Sequence, residues 1–305
     1  KKYKTRVIET PIAEDSIAGV CIGASLNGMY PINTHIRADF GLLAFNQIVN
    51  LAAKYKYMFG GLFEIPMMIR LVIGRSWGQG AQHSQSLQSL LAHIPGLTVL
   101  MPSNPFTITR DYRHAISKFK GPVIFLEHRL LYEISFEQKS FSIGKKPFET
   151  DILSKGKDIT IISTSIMTLE CTRAVSFLKT QGISVDLIDL NSISHPNYEI
   201  ILDSIKKTGR LLVVDTSWKE YGVCAEINRI INEKNSNYLK VPSRSLGMKK
   251  ASCPTAKSLE DIFYPDVHDI VKECFLLLGK QLEKVSNIPK KQPMTDYYKH
   301  FKGPF

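Results

Sequence analysis

Two segments carry side chains whose types and spacing could do chemistry. The first is Glu9-Thr10-Pro11-Ile12-Ala13-Glu14, running into Asp15-Ser16-Ile17-Ala18-Gly19-Val20-Cys21-Ile22-Gly23-Ala24. Ala and Gly recur there at three- and four-residue spacing, which lets a helix pack closely and be buried. Glu14 stands where that helix begins, and a carboxyl there can hold or pass a proton. The second is Gly74-Arg75-Ser76-Trp77-Gly78-Gln79-Gly80-Ala81-Gln82-His83-Ser84-Gln85, following the apolar run Met67 to Ile73. Ligands bind beyond the carboxyl ends of parallel strands, and a glycine-rich polar loop there could admit one. Each segment also has a plainer explanation. Glu14 and Asp15 suit a helix N-terminus through the dipole alone, and His83 or Ser84 could cap a following helix.

Other generic signatures are missing. The chain has no GxGxxG, no GxxxxGK[ST] and no HExxH, and Gly23-Ala24-Ser25-Leu26-Asn27-Gly28 misses a GxSxG nucleophile elbow by one residue. Its five cysteines lie far apart without a CxxC pair, which suggests neither a disulfide framework nor a thiolate metal site. With 305 residues, 44% hydrophobic and 22% charged, the composition is that of a globular protein with room for two domains. The net charge of +11 permits polyanion binding but does not specify it. No run of five basic residues and no aromatic-basic RNA motif occurs, so the charge reads as a mixed solvated surface and nucleic acid is not expected as a partner. The apolar stretches, such as Ile17 to Leu26, are too short to span a bilayer, so no membrane association is expected. No targeting signal is visible, which fits a cytoplasmic location.

The elements that must position the two segments follow from apolar periodicity, which alternates short buried strands with amphipathic helices. In the first half it predicts strands at 6–9, 31–36, 66–73, 97–101 and 122–127, with helices at 15–28, 42–55, 84–93 and 104–119. Residues 131–156, with little periodicity, read as a connection. A second unit is expected with strands at 159–163, 184–189, 210–215 and 238–243, and helices at 167–181, 196–208, 222–234 and 264–279. The class is α/β, two doubly wound domains in succession. After Gly279 the chain is basic and aromatic without a clear period, and should extend along a surface.

The motifs Arg6-Val7-Ile8-Glu9-Thr10-Pro11-Ile12-Ala13-Glu14, Ala18-Gly19, Phe45-Asn46-Gln47-Ile48-Val49-Asn50 with Ala52-Ala53-Lys54, and Gln82-His83-Ser84-Gln85 with Pro95-Gly96-Leu97 resemble, in order, the beta subunit of thiamine diphosphate-dependent 2-oxo acid dehydrogenases. Gly156-Lys157-Asp158-Ile159-Thr160, Gly182 to Leu190 and Lys207 to Leu212 continue the resemblance through the second half. It implies a transketolase-like fold, with a pyrimidine-binding domain over 1–146, a transketolase C-terminal domain over 150–279 and an extended tail over 280–305. It also implies that thiamine diphosphate lies at a subunit interface. The beta chain would hold the aminopyrimidine, and a partner alpha subunit the diphosphate and magnesium, in an alpha2beta2 heterotetramer. This chain lacks a GDG-type metal motif, so that partner is needed.

By the same resemblance, Glu14 matches the glutamate that bonds the pyrimidine ring nitrogen and promotes the imino tautomer needed to activate the coenzyme. Ile12 matches the apolar residue beside that ring, and Phe40 the aromatic that stacks on it. His83 matches the histidine facing the thiazolium, where it can orient a 2-oxo carboxylate. The implied reaction is decarboxylation of a small 2-oxo acid and transfer of the acyl or aldehyde unit.

Some features depart from the family. The chain begins just before the Thr-Pro-Ile-Ala-Glu segment, so a strand and helix that usually precede it are expected to lie outside this sequence. Lys118-Phe119-Lys120-Gly121-Pro122 puts lysines where oxygen ligands often help a potassium site, which argues against that ion. Asp189-Leu190-Asn191 lacks the arginine usual after Asp-Leu, and Met248-Lys249-Lys250 is more basic than usual. With a near-neutral second domain and a basic tail, the chain would complement poorly the basic module of an acyltransferase core. That tilts the expected acceptor from a lipoyl group towards a carbonyl or carrier-bound substrate. A noncatalytic binding or assembly subunit with this fold is the competing reading, and retention of Glu14 and His83 argues against it.

Overall fold

The computed structural model describes residues 3–74, 78–136, 144, 146–282 and 285–289. The first unit begins with α1 (Glu14–Leu26), β1 (Ile32–His35), the short α2 (Ala38–Gly41) and α3 (Tyr55–Met58), and β2 (Met67–Ile73). It continues with α4 (Gln88–Ala92), β3 (Thr98–Leu100), α5 (Pro105–Ser117) and β4 (Pro122–His128). The four strands pair in parallel in the order β1-β2-β4-β3. In the second unit β5 (Asp151–Ser154), β6 (Ile159–Ser163), α6 (Ser165–Thr180), β7 (Val185–Asp189), α7 (Tyr198–Thr208), β8 (Leu211–Trp218), α8 (Val223–Asn235), β9 (Arg244–Met248), α9 (Lys257–Phe263) and α10 (Val267–Leu277) follow in turn. Their sheet order is β5-β7-β6-β8-β9, with β5 antiparallel to β7 and the other pairs parallel.

The strands buried on both faces are mostly apolar, as parallel sheets covered by helices require: β4 and β6 are buried at every position, with Glu127, His128, Thr160 and Ser163 their only polar residues. One apolar cluster runs from Ala18 and Ile22 on α1 through Ile69 and Leu71 on β2 to Ile162, Ile188 and Val213 of the second sheet. The two units are also stitched by backbone. Met101 donates to the Asn191 carbonyl at 2.8 Å, and Ile193 to the Val99 carbonyl at 2.9 Å.

Four sequence expectations fail, each for a physical reason. No strand forms at 6–9. Lys4–Arg6 make a 3-10 turn, and Val7 and Ile8 stand exposed, because no neighbouring strand satisfies their backbone. The helix expected over 42–55 is broken into a 3-10 turn at Leu42–Ala44, a π-helical turn at Gln47–Ala52 and α3. There Ile48 is driven into the core while Gln47 reaches Asp15 on α1. The strand expected at 238–243 lies instead at Arg244–Met248, because Lys240 donates its backbone N–H to Gly209 and the ladder to β8 begins at Arg244. Inside the stretch read as a connection, β5 adds an antiparallel edge to β7. At the end of the described chain, Leu282, Val285 and Ile288 pack on the second unit's core. The aromatic tail beyond residue 289 lies outside the described residues.

Candidate active site

The carboxyl ends of β1, β2 and β4 gather the residues in question. α1 begins at Glu14 after Ala13, which supplies no side-chain cap, so Glu14 and Asp15 both occupy the dipole-favoured first turn. They are used differently. Asp15 accepts from Gln47 Nε2 at 3.1 Å and so ties α1 to the π turn. Glu14 is partly buried and its carboxyl makes no hydrogen bond or ion pair among the described residues. Its charge reaches His35 at the end of β1. Burial lowers the pKa of that imidazole, Glu14 opposes the shift, and Asn33 Nδ2 lies 3.2 Å from its Nε2.

Just beyond β1, α2 carries Asp39 and Phe40. Phe40 is 39% exposed and meets the His83 ring edge-to-face, with centroids 5.4 Å apart and planes at 83°. Asp39 Oδ1 accepts from Gln85 Nε2 at 2.9 Å and from the Gln85 backbone N–H at 3.4 Å. Burial raises its carboxyl pKa, while the Gln85 bonds and His83 hold that rise in check. Two neighbouring residues of α2 thus hold two positions of the histidine loop.

The loop is clamped from the other side by the second unit. Gly78 and Gly80 have φ of +67° and +65°, a region that favours glycine, and a Cβ on Gly80 would come within 2.5 Å of Thr255 Cγ2. Ser86 Oγ lies 2.9 Å from Thr216 Oγ1, Ser217 Oγ donates to the Ser86 carbonyl at 2.9 Å, and Gln88 Nε2 donates to Asp215 at 2.8 Å. These bonds keep Ser84–Leu87 out of the helix expected from residue 84. Since α4 starts at Gln88 behind Leu87, neither His83 nor Ser84 caps it. The buried Ser84 hydroxyl has no partner among the described residues.

The structure therefore brings Phe40 and His83 into contact. Glu14 is near enough for its charge to act on His35 but is joined to neither Phe40 nor His83 by a contact among the described residues, and Ile12 stands 95% exposed. Sequence reasoning missed His35, Arg37, Asp39, Gln85 and Thr255. The polar residues Asn33, His35 and Arg37 at alternate positions of a strand are a readable signal, since a strand turns such residues to one face. A groove of about 1040 Å³ between the units, lined in part by His93, Trp218, Tyr221 and Arg229, holds none of the sequence-predicted site residues. Arg75, Ser76 and Trp77 lie outside the described residues.

The same arrangement of sheets occurs in known proteins. Residues 1–135 match the transketolase pyrimidine binding domain and residues 149–270 the transketolase C-terminal domain. The chain is 35% identical over 269 residues to the acetoin:2,6-dichlorophenolindophenol oxidoreductase subunit beta of Cupriavidus necator, covering 88% of this chain and 79% of that one. It is 35% identical over 275 residues to the pyruvate dehydrogenase E1 component subunit beta of Rickettsia conorii, covering 88% and 82%. The chain belongs to the beta-subunit family of thiamine diphosphate-dependent 2-oxo acid dehydrogenases. A solved split-gene transketolase, an inactive beta4 tetramer, shares the fold of this beta-family chain with a TM-score of 0.73 at 22% identity, over 91% of this chain and 85% of that one. Among the described residues no helix is long and apolar enough to cross a membrane.

The donor set fits the coenzyme that this family uses. A flat heteroaromatic ring needs an aromatic face to lie against and a carboxyl free to meet a ring nitrogen. Phe40 offers the first, and Glu14 the second without a competing bond.

Proposed function

We propose that this chain is the beta half of an enzyme that decarboxylates a small 2-oxo acid and transfers the resulting acyl or aldehyde unit. Its partner would be an alpha subunit that holds the diphosphate and magnesium of thiamine diphosphate, in an alpha2beta2 assembly. Residues 1–146 would form the pyrimidine side, residues 150–279 the supporting C-terminal domain and residues 280–305 a tail. The observation that carries the reading is the unbonded, half-buried Glu14 carboxyl beside Asp15, whose own carboxyl is taken by Gln47.

When bound, the coenzyme supplies the acidic carbon and the electron sink for decarboxylation. Glu14 would hold a proton at the pyrimidine ring nitrogen, with Ile12 and Phe40 flanking the ring. His83 would orient the substrate carboxylate and move protons in later steps. Asp39 and Phe40 would keep that imidazole in register through Gln85 and the ring contact. The exposure of Ile12 and Phe40 is what a site completed by another subunit would leave on a single chain.

Of the two relatives named above, one carries a dye acceptor in its name and the other is named as an E1 component with no acceptor. A lipoyl group or a carrier-bound or carbonyl acceptor therefore both suit the reading. The test is CO2 release from a panel of 2-oxo acids with thiamine diphosphate and magnesium. Activity is expected when this chain is coexpressed with its alpha partner and from neither chain alone; no release from the coexpressed pair would refute the proposal.

A further inference from the structure

Asn33, His35 and Arg37 alternate with exposed neighbours along β1 and its extension, and all three are buried. Arg37 is the outermost, at the carboxyl edge of the sheet, and leads directly into the Asp39-Phe40 turn that holds the His83 loop. It is only 6% exposed. Its Nη1 is buried with no hydrogen-bond partner, and the side chain forms no ion pair among the described residues. The nearest acid in sequence, Asp39, is committed to Gln85. Glu14 is coupled to His35 rather than paired with the guanidinium.

A buried lysine or histidine can escape such a position by giving up its proton, but a guanidinium cannot. Kept without a counter-ion among the described residues, it is a strong anion receptor with its Nη1 unused. We infer that Arg37 is a binding residue for an anionic group that the substrate carries in addition to the carboxylate it loses, so that the enzyme favours 2-oxo acids with a second carboxylate. The inference rests on the function proposed above. In that reading the reacting carboxylate is met by His83 and the coenzyme's diphosphate by the partner subunit, which leaves Arg37 for a charge that stays on the substrate.

The test uses the coexpressed alpha-beta assembly with wild-type chain, Arg37→Met and Arg37→Lys. Titration calorimetry compares glutarate with butyrate as unreactive probes, and turnover compares 2-oxoglutarate with 2-oxobutyrate. Wild type is expected to bind glutarate more tightly than butyrate. Arg37→Met should cut that preference, and the corresponding ratio of kcat/KM values, by about 10- to 100-fold, chiefly through KM, as loss of a charge-assisted contact does. Arg37→Lys should fall between the two, because the charge remains while the fork is lost. Removing an uncompensated buried charge should also raise the melting temperature without ligand.

Three results would overturn the inference. One is a wild-type assembly that does not prefer glutarate. Another is an Arg37→Met preference equal to wild type. The third is a lowered melting temperature with the assembly falling apart on sedimentation, which would mean that the guanidinium pairs with the partner subunit. Glutarate binding that depends on Arg37 in an assembly releasing no CO2 would uphold this inference while refuting the reaction proposed above.

Discussion

The two units of this chain differ in how the charged groups at their sheets are matched. In the second, buried acids are matched inside the fold. Asp186 accepts from Ser204, Asp189 from Ser103 and Thr168, and Asp215 from Thr164 and Gln88. In the first, the carboxyl edge of the sheet is left open. Among the described residues Glu14 has no hydrogen bond and Arg37 no counter-ion, and Ile12, Ile36, Phe40 and Leu43 face outward. Buried polar groups in folded chains are normally satisfied, and unsatisfied ones occur in both units, at Ser165 and Ser192 of the second as at Ser84 of the first. What sets the edge of the first sheet apart is that an unmatched guanidinium and an unbonded carboxyl lie there together with exposed apolar side chains. The second unit grips the histidine loop of the first through Thr216, Ser217, Asp215 and Thr255.

The sharpest break of this contrast is Glu14→Gln. If the open edge is the reacting edge, decarboxylation by the coexpressed pair should fall by about 10²- to 10⁴-fold. The melting temperature should stay put, because no bond within the chain is lost. Activity within threefold of wild type would show that the glutamate is idle.

Asp189→Asn probes the second unit. Burial pushes the Asp189 carboxyl up to about 7, well above its unfolded value, so the folded chain holds an extra proton between about pH 4 and 7. That contribution to stability is full below pH 4 and is lost as pH rises through 7. Urea denaturation of wild type should therefore weaken across this window relative to the variant, by about 4 kcal/mol at most. A gap between the two that does not change with pH would contradict the assignment.

The smallest effect tests the grip between the units. Gly80→Ala must strain a positive φ and press on Thr255, costing about 1–3 kcal/mol. Displacing the His83 loop should lower kcat by about 10- to 100-fold. Combining it with Thr255→Ser should recover the steric part and not the backbone part, which a double-mutant cycle reads directly.

Much of the architecture was legible in the residues. The strand over Ile159–Ser163 and the helices at Glu14–Leu26 and Pro105–Ser117 fall where periodicity puts them, and Asn104 caps the last of these with bonds to the Phe106 and Thr107 N–H groups. Such elements depend on neighbours a few positions away. The strand expected at 6–9, the continuous helix at 42–55 and the early start of the helix at 84 were misread for the opposite reason. Ser86 and Gln88 answer to Thr216 and Asp215, about 130 residues distant, and no local pattern announces that. The candidate site divides in the same way. Glu14, Phe40 and His83 could be named from motifs, and Gln85 stands in one, whereas the contacts through which Asp39, Gln85 and Thr255 hold the loop could not be read from them.

By itself, then, the order of residues determined two α/β units, the family and the side chains with chemical potential, because alternation, helical spacing and motif are written in short windows. Only the tertiary structure decided that Asp15 is spent and Glu14 is not, and that Arg37 is buried without an answering charge. Whether a polar group is satisfied depends on which distant atoms packing brings within about 3 Å of it, and that distance exists only once the chain has folded.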